Sequence, residues 1–371
     1  MTQCRECTLV VNDAGEHQSL HGGKLVSDTR IVFFETEDWE KESIESGGLQ
    51  EYQPPVHVER LDEETAKLAE DAEIVSVFIY SNVCKSVLDR LPKLRMIATR
   101  STGYDHIDLA ECRKREITVS NVPYYGENTV GEHAFGLILS LSRKIYKAYL
   151  RTTRLDFSLE GLMGFDLKGK TIGVAGAGRI GLHVVRIAKG FGMEVLVYDV
   201  RQEMLLAEVL GFTYVSFEDL LRRSDVISLN VPLNEATHHM INKGNISLIK
   251  RGAILINTAR GGIVETEALI AALNEGIISG AGLDVFEGEE SIKEETARAV
   301  ERLPREKMME ILLGYDLLHR DNVVITPHIA FYSEEALGRI MRTTEENIRA
   351  FLAGSPINVI TASTPSPKCA S

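Results

Sequence analysis

Cysteine is scarce in this chain. Five residues, Cys4, Cys7, Cys84, Cys112 and Cys369, make an odd count with no framework spacing. That excludes a disulfide-stapled scaffold and fits a reducing cytoplasm. Cys4 and Cys7 form one C-x-x-C pair, but no second pair exists to complete a zinc site. Positive charge is also in deficit: 41 Lys and Arg against 54 Asp and Glu leave a net charge of −13. A broad nucleic-acid or anionic-membrane surface is therefore not expected. No apolar run reaches membrane-spanning length; Ala134 to Leu141 is short and interrupted by Gly136 and Ser140. The first residues lack a basic stretch followed by an apolar one, so no secretory signal is expected.

What the chain does have is length and alternation. Its 371 residues suffice for two domains with separate cores. Residues 1–28 are polar and unpatterned and read as a flexible extension; residues 361–371 read as a disordered tail. Between them, short β-type runs alternate with helical patterns, which predicts parallel sheets with crossover helices. Strands are predicted at Arg30–Phe34, Ile74–Ile79, Arg95–Thr99 and Ile117–Ser120. A second series falls at Asp225–Leu229, Ala253–Asn257, Gly280–Asp284 and Asn322–Thr326. Asn128 to Tyr149 reads as one long helix capped by Asn128, and about Ser333 to Ala353 as a final amphipathic helix. The expected organisation is a substrate domain (29–126 and 327–360) interrupted by a Rossmann domain (127–326). The two chain crossings would act as a hinge beside a substrate cleft.

The strongest local signal is Gly176-x-Gly178-x-x-Gly181, preceded by the apolar run Ile172–Ala175 and followed by a helical pattern. The first glycine makes a tight turn, the second admits a pyrophosphate, and the third lets helix and strand pack. The helix N-terminus that opens at Arg179 and Ile180 faces the phosphate charge. A second strand ends in Asp199, 199 − 176 = 23 residues after the first glycine. An acid there accepts bonds from ribose hydroxyls and repels a ribose phosphate, so the cofactor is read as NAD rather than NADP.

With such a cofactor the protein must hold and polarise a carbonyl and supply a proton. Three predicted strand ends offer suitable groups. Arg260 follows Asn257-Thr258-Ala259; Asp284, Glu287 and Glu289 follow the next strand; His328 follows Thr326-Pro327. Arginine binds carboxylates bidentately, and a carboxylate beside an imidazole favours the imidazolium, a general acid in reduction. The adjacent His238 and His239 have no third ligand at metal spacing and read as structural, so no metal centre is expected. Glu287 reads as a solvated acid, and His133 as a packing residue.

Taken in this order, these segments resemble the D-isomer-specific 2-hydroxyacid dehydrogenases from about residue 30 to 355. The resemblance implies two doubly wound α/β domains, with the Rossmann NAD domain inserted into a flavodoxin-like one. It implies that Arg260 binds the substrate carboxylate and carbonyl, that His328 donates the proton, and that Glu289 orients His328. It further implies a carboxylate cradle at Thr102 and Gly103, cofactor contacts from Val231, Pro232, Thr258, Ala259 and Asp284, and a homodimer formed through the NAD domain. Val122-Pro-Tyr-Tyr125 and His328-Ile-Ala-Phe331-Tyr332 are most similar to the D-lactate dehydrogenase branch, with Tyr125 and Phe331 as walls of a small apolar pocket. Phosphohydroxypyruvate or glyoxylate as substrate, and an NAD-sensing binding protein, stay open as alternatives. The charged stretch 290–320 exceeds the family core and reads as a lid or as a mobile surface helix near the cleft.

Overall fold

The computed structural model describes residues 29–289 and 305–360. The expectations for the extension, the tail, Cys4, Cys7, Cys369 and the stretch 290–304 lie outside the described residues. The chain divides into two compact units. One holds the described residues up to Tyr125 together with those from Glu334 onward; the other is Gly126–Ser333.

The first unit is built on four parallel strands, β1 (Ile31–Phe33), β2 (Ile74–Val77), β3 (Met96–Thr99) and β4 (Thr118–Ser120), in the order β1-β2-β3-β4. A parallel bridge from Phe33 to Val56 adds an outer neighbour to β1. Counted with it, the order is 2-1-3-4-5, as in flavodoxin-like sheets. Alternate residues face opposite cores. Val32, Val75, Ile97 and Val119 point to one side, and Ile31, Phe33, Ile74, Met96 and Ala98 to the other. A parallel sheet buried on both faces requires near-continuous apolar runs, which is what these strands are. The final amphipathic helix, Glu334–Leu352, closes the second face with Met341 and Ile348.

The second unit carries seven parallel strands: β5 (Thr171–Ala175), β6 (Glu194–Tyr198), β7 (Thr213–Tyr214), β8 (Val226–Leu229), β9 (Ala253–Asn257), β10 (Ile278–Leu283) and β11 (Val323–Ile325). Their order is β11-β10-β9-β8-β5-β6-β7, a Rossmann order extended by one strand. The chain reverses its direction of winding between β5 and β8, so the ends of those two strands form the topological switch point. Helix Glu127–Ser142 lies across β10, where Gly282 makes room. A Cβ on Gly282 would sit 2.9 Å from Leu137 Cβ.

Two sequence expectations need correction. The long helix is two, Glu127–Ser142 and Ile145–Thr152, capped by Gly126 rather than by Asn128. The break is at Lys144, which takes a left-handed conformation (φ 54°), and Phe165 N–H bonds the Ser142 carbonyl at the helix end. The segment 327–333, expected in the first domain, falls in the second unit. The reason is Asp284, whose carboxylate accepts bonds from the backbone N–H groups of Ile329 and Ala330. Within the charged stretch, Arg305–Leu318 is a surface helix, the second of the two readings, with Leu317 anchored in the core.

Candidate active site

The glycine turn follows β5 at the switch point. Gly176 has φ +95°, a backbone that L side chains rarely adopt, and a Cβ there would meet the Asn230 carbonyl at 2.6 Å. Gly181 is forced by contact: a Cβ would fall 1.9 Å from the Gly176 carbonyl oxygen. Gly178 is different. Nothing lies within 4 Å of where its Cβ would be, and it caps helix Arg179–Gly190 in extended conformation. The first N–H groups of a helix have no intrahelical partner, and the space about Gly178 is open, which suits a pyrophosphate. Ile180 is half-buried, and the exposed Arg179 lies 3.7 Å from Glu127.

Asp199 ends the next strand. One carboxylate oxygen accepts from Ala177 N–H at 2.6 Å and the other from Arg201 N–H at 2.8 Å. The acid is thus fixed beside the glycine turn. Val231 and Pro232 follow β8, and Val231 Cγ1 would lie 3.0 Å from a Cβ on Gly176. Two buried polar atoms along these strand ends lack a hydrogen-bond partner, Asn230 Oδ1 and Thr258 Oγ1. A buried polar atom without a partner is costly, and a polar ligand such as a nicotinamide carboxamide or ribose would satisfy it. Gly178, Asp199, Asn230 and Thr258 together fit a dinucleotide.

The chemistry-bearing side chains come from three neighbouring strands. Arg260 follows β9, Asp284 and Glu289 follow β10, and His328 follows β11, all at carboxyl ends where open α/β sheets bind ligands. The loops lock to one another. Asp284 N–H bonds the Asn257 carbonyl at 2.9 Å, and a Cβ on Gly261 would collide with the Phe286–Glu287 backbone. Arg260 is half-buried, and its guanidinium donates to the Ala259 carbonyl at 2.8 Å.

His328 Nδ1 lies 3.2 Å from Glu289 Oε1, and both side chains are more than four-fifths buried. The histidine backbone is left-handed (φ 57°), a conformation that needs support. Its N–H reaches the Asp284 carbonyl at 3.0 Å and the Thr326 carbonyl at 2.9 Å. The Asp284 side chain, 1% exposed, then holds the residues just beyond: Thr326 Oγ1 donates to it at 2.5 Å, and Ile329 and Ala330 N–H at 2.9 Å each. Asp284 therefore acts as the clamp of the His328 loop. His133 Nε2 stands 3.0 Å from Thr326 Oγ1 and 3.5 Å from Asp284. Burial pulls its imidazole below the ordinary value, against the attraction of Asp284. A neutral His133 donating to Thr326, whose hydroxyl donates on to Asp284, satisfies the chain of bonds. Phe331 is half-buried and packs edge-on against Tyr332 at 5.9 Å.

In the first unit, Thr102 is exposed and its hydroxyl donates to the Val122 carbonyl at 2.8 Å. The Gly103 carbonyl accepts from Ser101 Oγ at 2.6 Å. Half-buried Tyr125 presents its carbonyl to Arg339 Nε at 2.6 Å. Sequence reading missed what fixes this loop. Arg100, just before it, is fully buried; it pairs with Glu40 at 2.8 Å and donates to the carbonyls of Phe34 and Glu35 at 2.7 Å each. No spacing rule announces a pair 60 residues apart.

His238 and His239 also gain a partner that the sequence did not reveal. Glu287, 48 residues on, sits 2.6 Å from His239 Nε2, and the donor atoms of all three residues lie within 4.8 Å of one another.

The fold and these strand ends define an α/β oxidoreductase with a dinucleotide site. Comparison with known proteins then fixes the class more narrowly. Residues 135–330 match the family described as "D-isomer specific 2-hydroxyacid dehydrogenase, NAD binding domain". The chain is 38% identical over 326 residues to the 2-hydroxyacid dehydrogenase homolog 1 of Schizosaccharomyces pombe, spanning 87% of this chain and 96% of that protein. It is 39% identical over 298 residues to the glyoxylate reductase of Thermococcus litoralis, 78% of this chain and 84% of the relative. The crystal structure of the D-lactate dehydrogenase from Aquifex aeolicus, complexed with NAD and lactic acid, superposes with a TM-score of 0.79 at 39% identity, covering 88% of this chain and 96% of that one. The chain belongs to the D-isomer-specific 2-hydroxyacid dehydrogenase family, whose members are NAD-dependent oxidoreductases acting on 2-hydroxy acids. No described helix is long and apolar enough to cross a membrane.

Proposed function

We propose that this chain reduces a short 2-keto acid, pyruvate foremost, to the D-2-hydroxy acid with NADH, and runs the reverse reaction. The observation that carries the reading is the His328–Glu289 pair, clamped by Asp284 one strand from Arg260. Bound cofactor supplies the hydride; the chain's residues do the rest. Arg260 holds the substrate carboxylate through its planar fork and polarises the carbonyl. Glu289 engages His328 Nδ1, which leaves Nε2 to deliver a proton to the carbonyl oxygen in reduction and to take it back in oxidation. Asp199 favours NADH, because a carboxylate repels the 2′-phosphate of NADPH.

Pyruvate is favoured over larger acids by Phe331, whose edge-on packing against Tyr332 offers a rigid aromatic wall for a methyl group. The Aquifex structure holds lactic acid, which supports the same choice. Similarity to a glyoxylate reductase makes glyoxylate the second reading. A steady-state panel of pyruvate, glyoxylate, phosphohydroxypyruvate and a branched keto acid, each with NADH and NADPH, separates them. The expected result is the highest kcat/KM for pyruvate with NADH. A clear preference for either alternative acid would sink the substrate assignment, and tight NADH binding with no turnover on any acid would favour a sensing role.

We also read the chain as a cytoplasmic homodimer. Cys84 and Cys112 are unpaired thiols, as a reducing compartment allows. Tyr149, Leu155, Phe157, Leu159 and Met163 of the second unit are all at least 66% exposed, an apolar stretch that a second copy would cover.

A further inference from the structure

We propose that His238, His239 and Glu287 form a binding site for one imidazole-preferring divalent cation of the zinc type. This site uses neither residue of the proton-donor pair and does not rest on the substrate reading. The donor set is the first argument. Two imidazoles and one carboxylate are the ligands that zinc takes, and three protein ligands leave a fourth position for water.

Geometry is the second. Zinc binds these donors at about 2.0–2.1 Å, so tetrahedral ligand atoms lie roughly 3.3 Å apart. The three donor atoms here are all within 4.8 Å of one another. Closing around a cation at that bond length needs the donor atoms to draw together by up to about 1.5 Å and one imidazole to rotate. The hydrogen bond between His239 Nε2 and Glu287 Oε1, 2.6 Å long, would open, both atoms turning to the cation while the neutral imidazole keeps its proton on Nδ1.

The third argument is that two of the ligands, His239 and Glu287, are held in place before any cation arrives. The two imidazoles stack with centroids 3.9 Å apart and planes 28° from parallel, so the exposed His238 ring has to turn out of the stack for both lone pairs to meet one cation. His239 occupies the left-handed region (φ 49°). Its N–H bonds the Gly262 carbonyl at 2.8 Å, and its carbonyl accepts from Asn242 Nδ2 at 2.7 Å. Glu287 is oriented by its other oxygen, which accepts from both the N–H and the hydroxyl of Thr266 at 2.9 Å each. Supporting bonds of this kind fix a ligand's direction and raise affinity. His238, by contrast, is exposed and, among the described residues, makes no side-chain hydrogen bond. A turn that only needed clamping would use His239 and Glu287 alone; the second imidazole adds a ligand.

A cation there would tie three loops together. The His238–His239 turn bonds Gly262, two residues past Arg260, and Glu287 lies two residues before Glu289. Binding to the folded state alone raises stability by mass action.

The test uses the full chain with C4S and C7S, which removes a competing thiol pair, after stripping metal with a chelator. Zinc is titrated against a chromophoric competitor, and cobalt(II) reports ligand geometry through its visible absorption. One zinc per chain is expected, with a rise in Tm on loading. H238Q and E287Q should each weaken binding by about tenfold or more, since even supporting residues are worth that much. H238Q alters an exposed side chain, so it decides the matter should E287Q fold poorly. Absence of stoichiometric binding, or affinity unchanged in both variants, would overturn the proposal.

Discussion

Gly178 and Gly181 share one motif, yet their surroundings predict opposite consequences for the same substitution. In G181A the new methyl would lie 1.9 Å from the Gly176 carbonyl oxygen and 3.0 Å from its carbon. Both are backbone atoms of the turn, so helix and strand must separate. Overpacking of this kind typically costs about 1–3 kcal/mol and more where backbone has to move. G178A meets nothing within 4 Å, and its backbone (φ −68°, ψ −172°) is open to any residue. The weaker helix cap is offset by reduced freedom of the unfolded chain, so stability should change by less than about 1 kcal/mol. The methyl would instead project over the helix N-terminus, where a pyrophosphate is argued to sit. A clash of about 1–3 kcal/mol with the bound cofactor raises the NADH Kd roughly 5–150-fold. Urea unfolding and NADH fluorescence titration on the two variants read both effects. The reasoning fails if G178A binds NADH like the wild type, or if it loses as much stability as G181A.

Asp284 offers a second test. Asn at this position keeps one acceptor oxygen but turns an NH2 toward a backbone N–H, so D284N should lose about 1.5–3 kcal/mol. The urea midpoint should fall at unchanged slope, and an unmoved midpoint would remove Asp284 from its role as clamp. His133 gives a pH signature. Its imidazole is held below the ordinary value of 6.5 by burial, so the unfolded chain binds the proton more readily. Its contribution is then complete above about pH 6.5 and declines as the pH falls below it. Tm should drop less steeply between about pH 6.5 and 5 in H133Q than in the wild type, and parallel profiles would refute the assignment.

The sheets were legible because their physics is local. Runs such as Ile254-Leu255-Ile256 and Val195-Leu196-Val197 are apolar on both faces, as doubly covered parallel strands must be. The cofactor turn was legible because each glycine answers a separate steric demand. Arg260, Glu289 and His328 could be picked out because each follows a strand. What stayed hidden depends on contacts between distant segments. The break at Lys144 follows from Phe165 meeting the helix end, and the domain edge near 327 follows from what Asp284 binds. The Arg100–Glu40 pair and the approach of Glu287 to His239 join residues far apart in the chain, so no spacing announces them. Short elements such as Thr213–Tyr214, only two residues long, carry too little pattern to be read at all.

In the proposed reaction His328 delivers the proton while the dinucleotide site stands independently of it. H328N tests this directly, because Asn tolerates the left-handed backbone at this position and so spares the loop. Pyruvate reduction should lose about 100- to 10,000-fold in kcat, while the NADH Kd stays within about threefold of the wild type. Turnover preserved in H328N, or NADH binding lost together with turnover, would contradict the account.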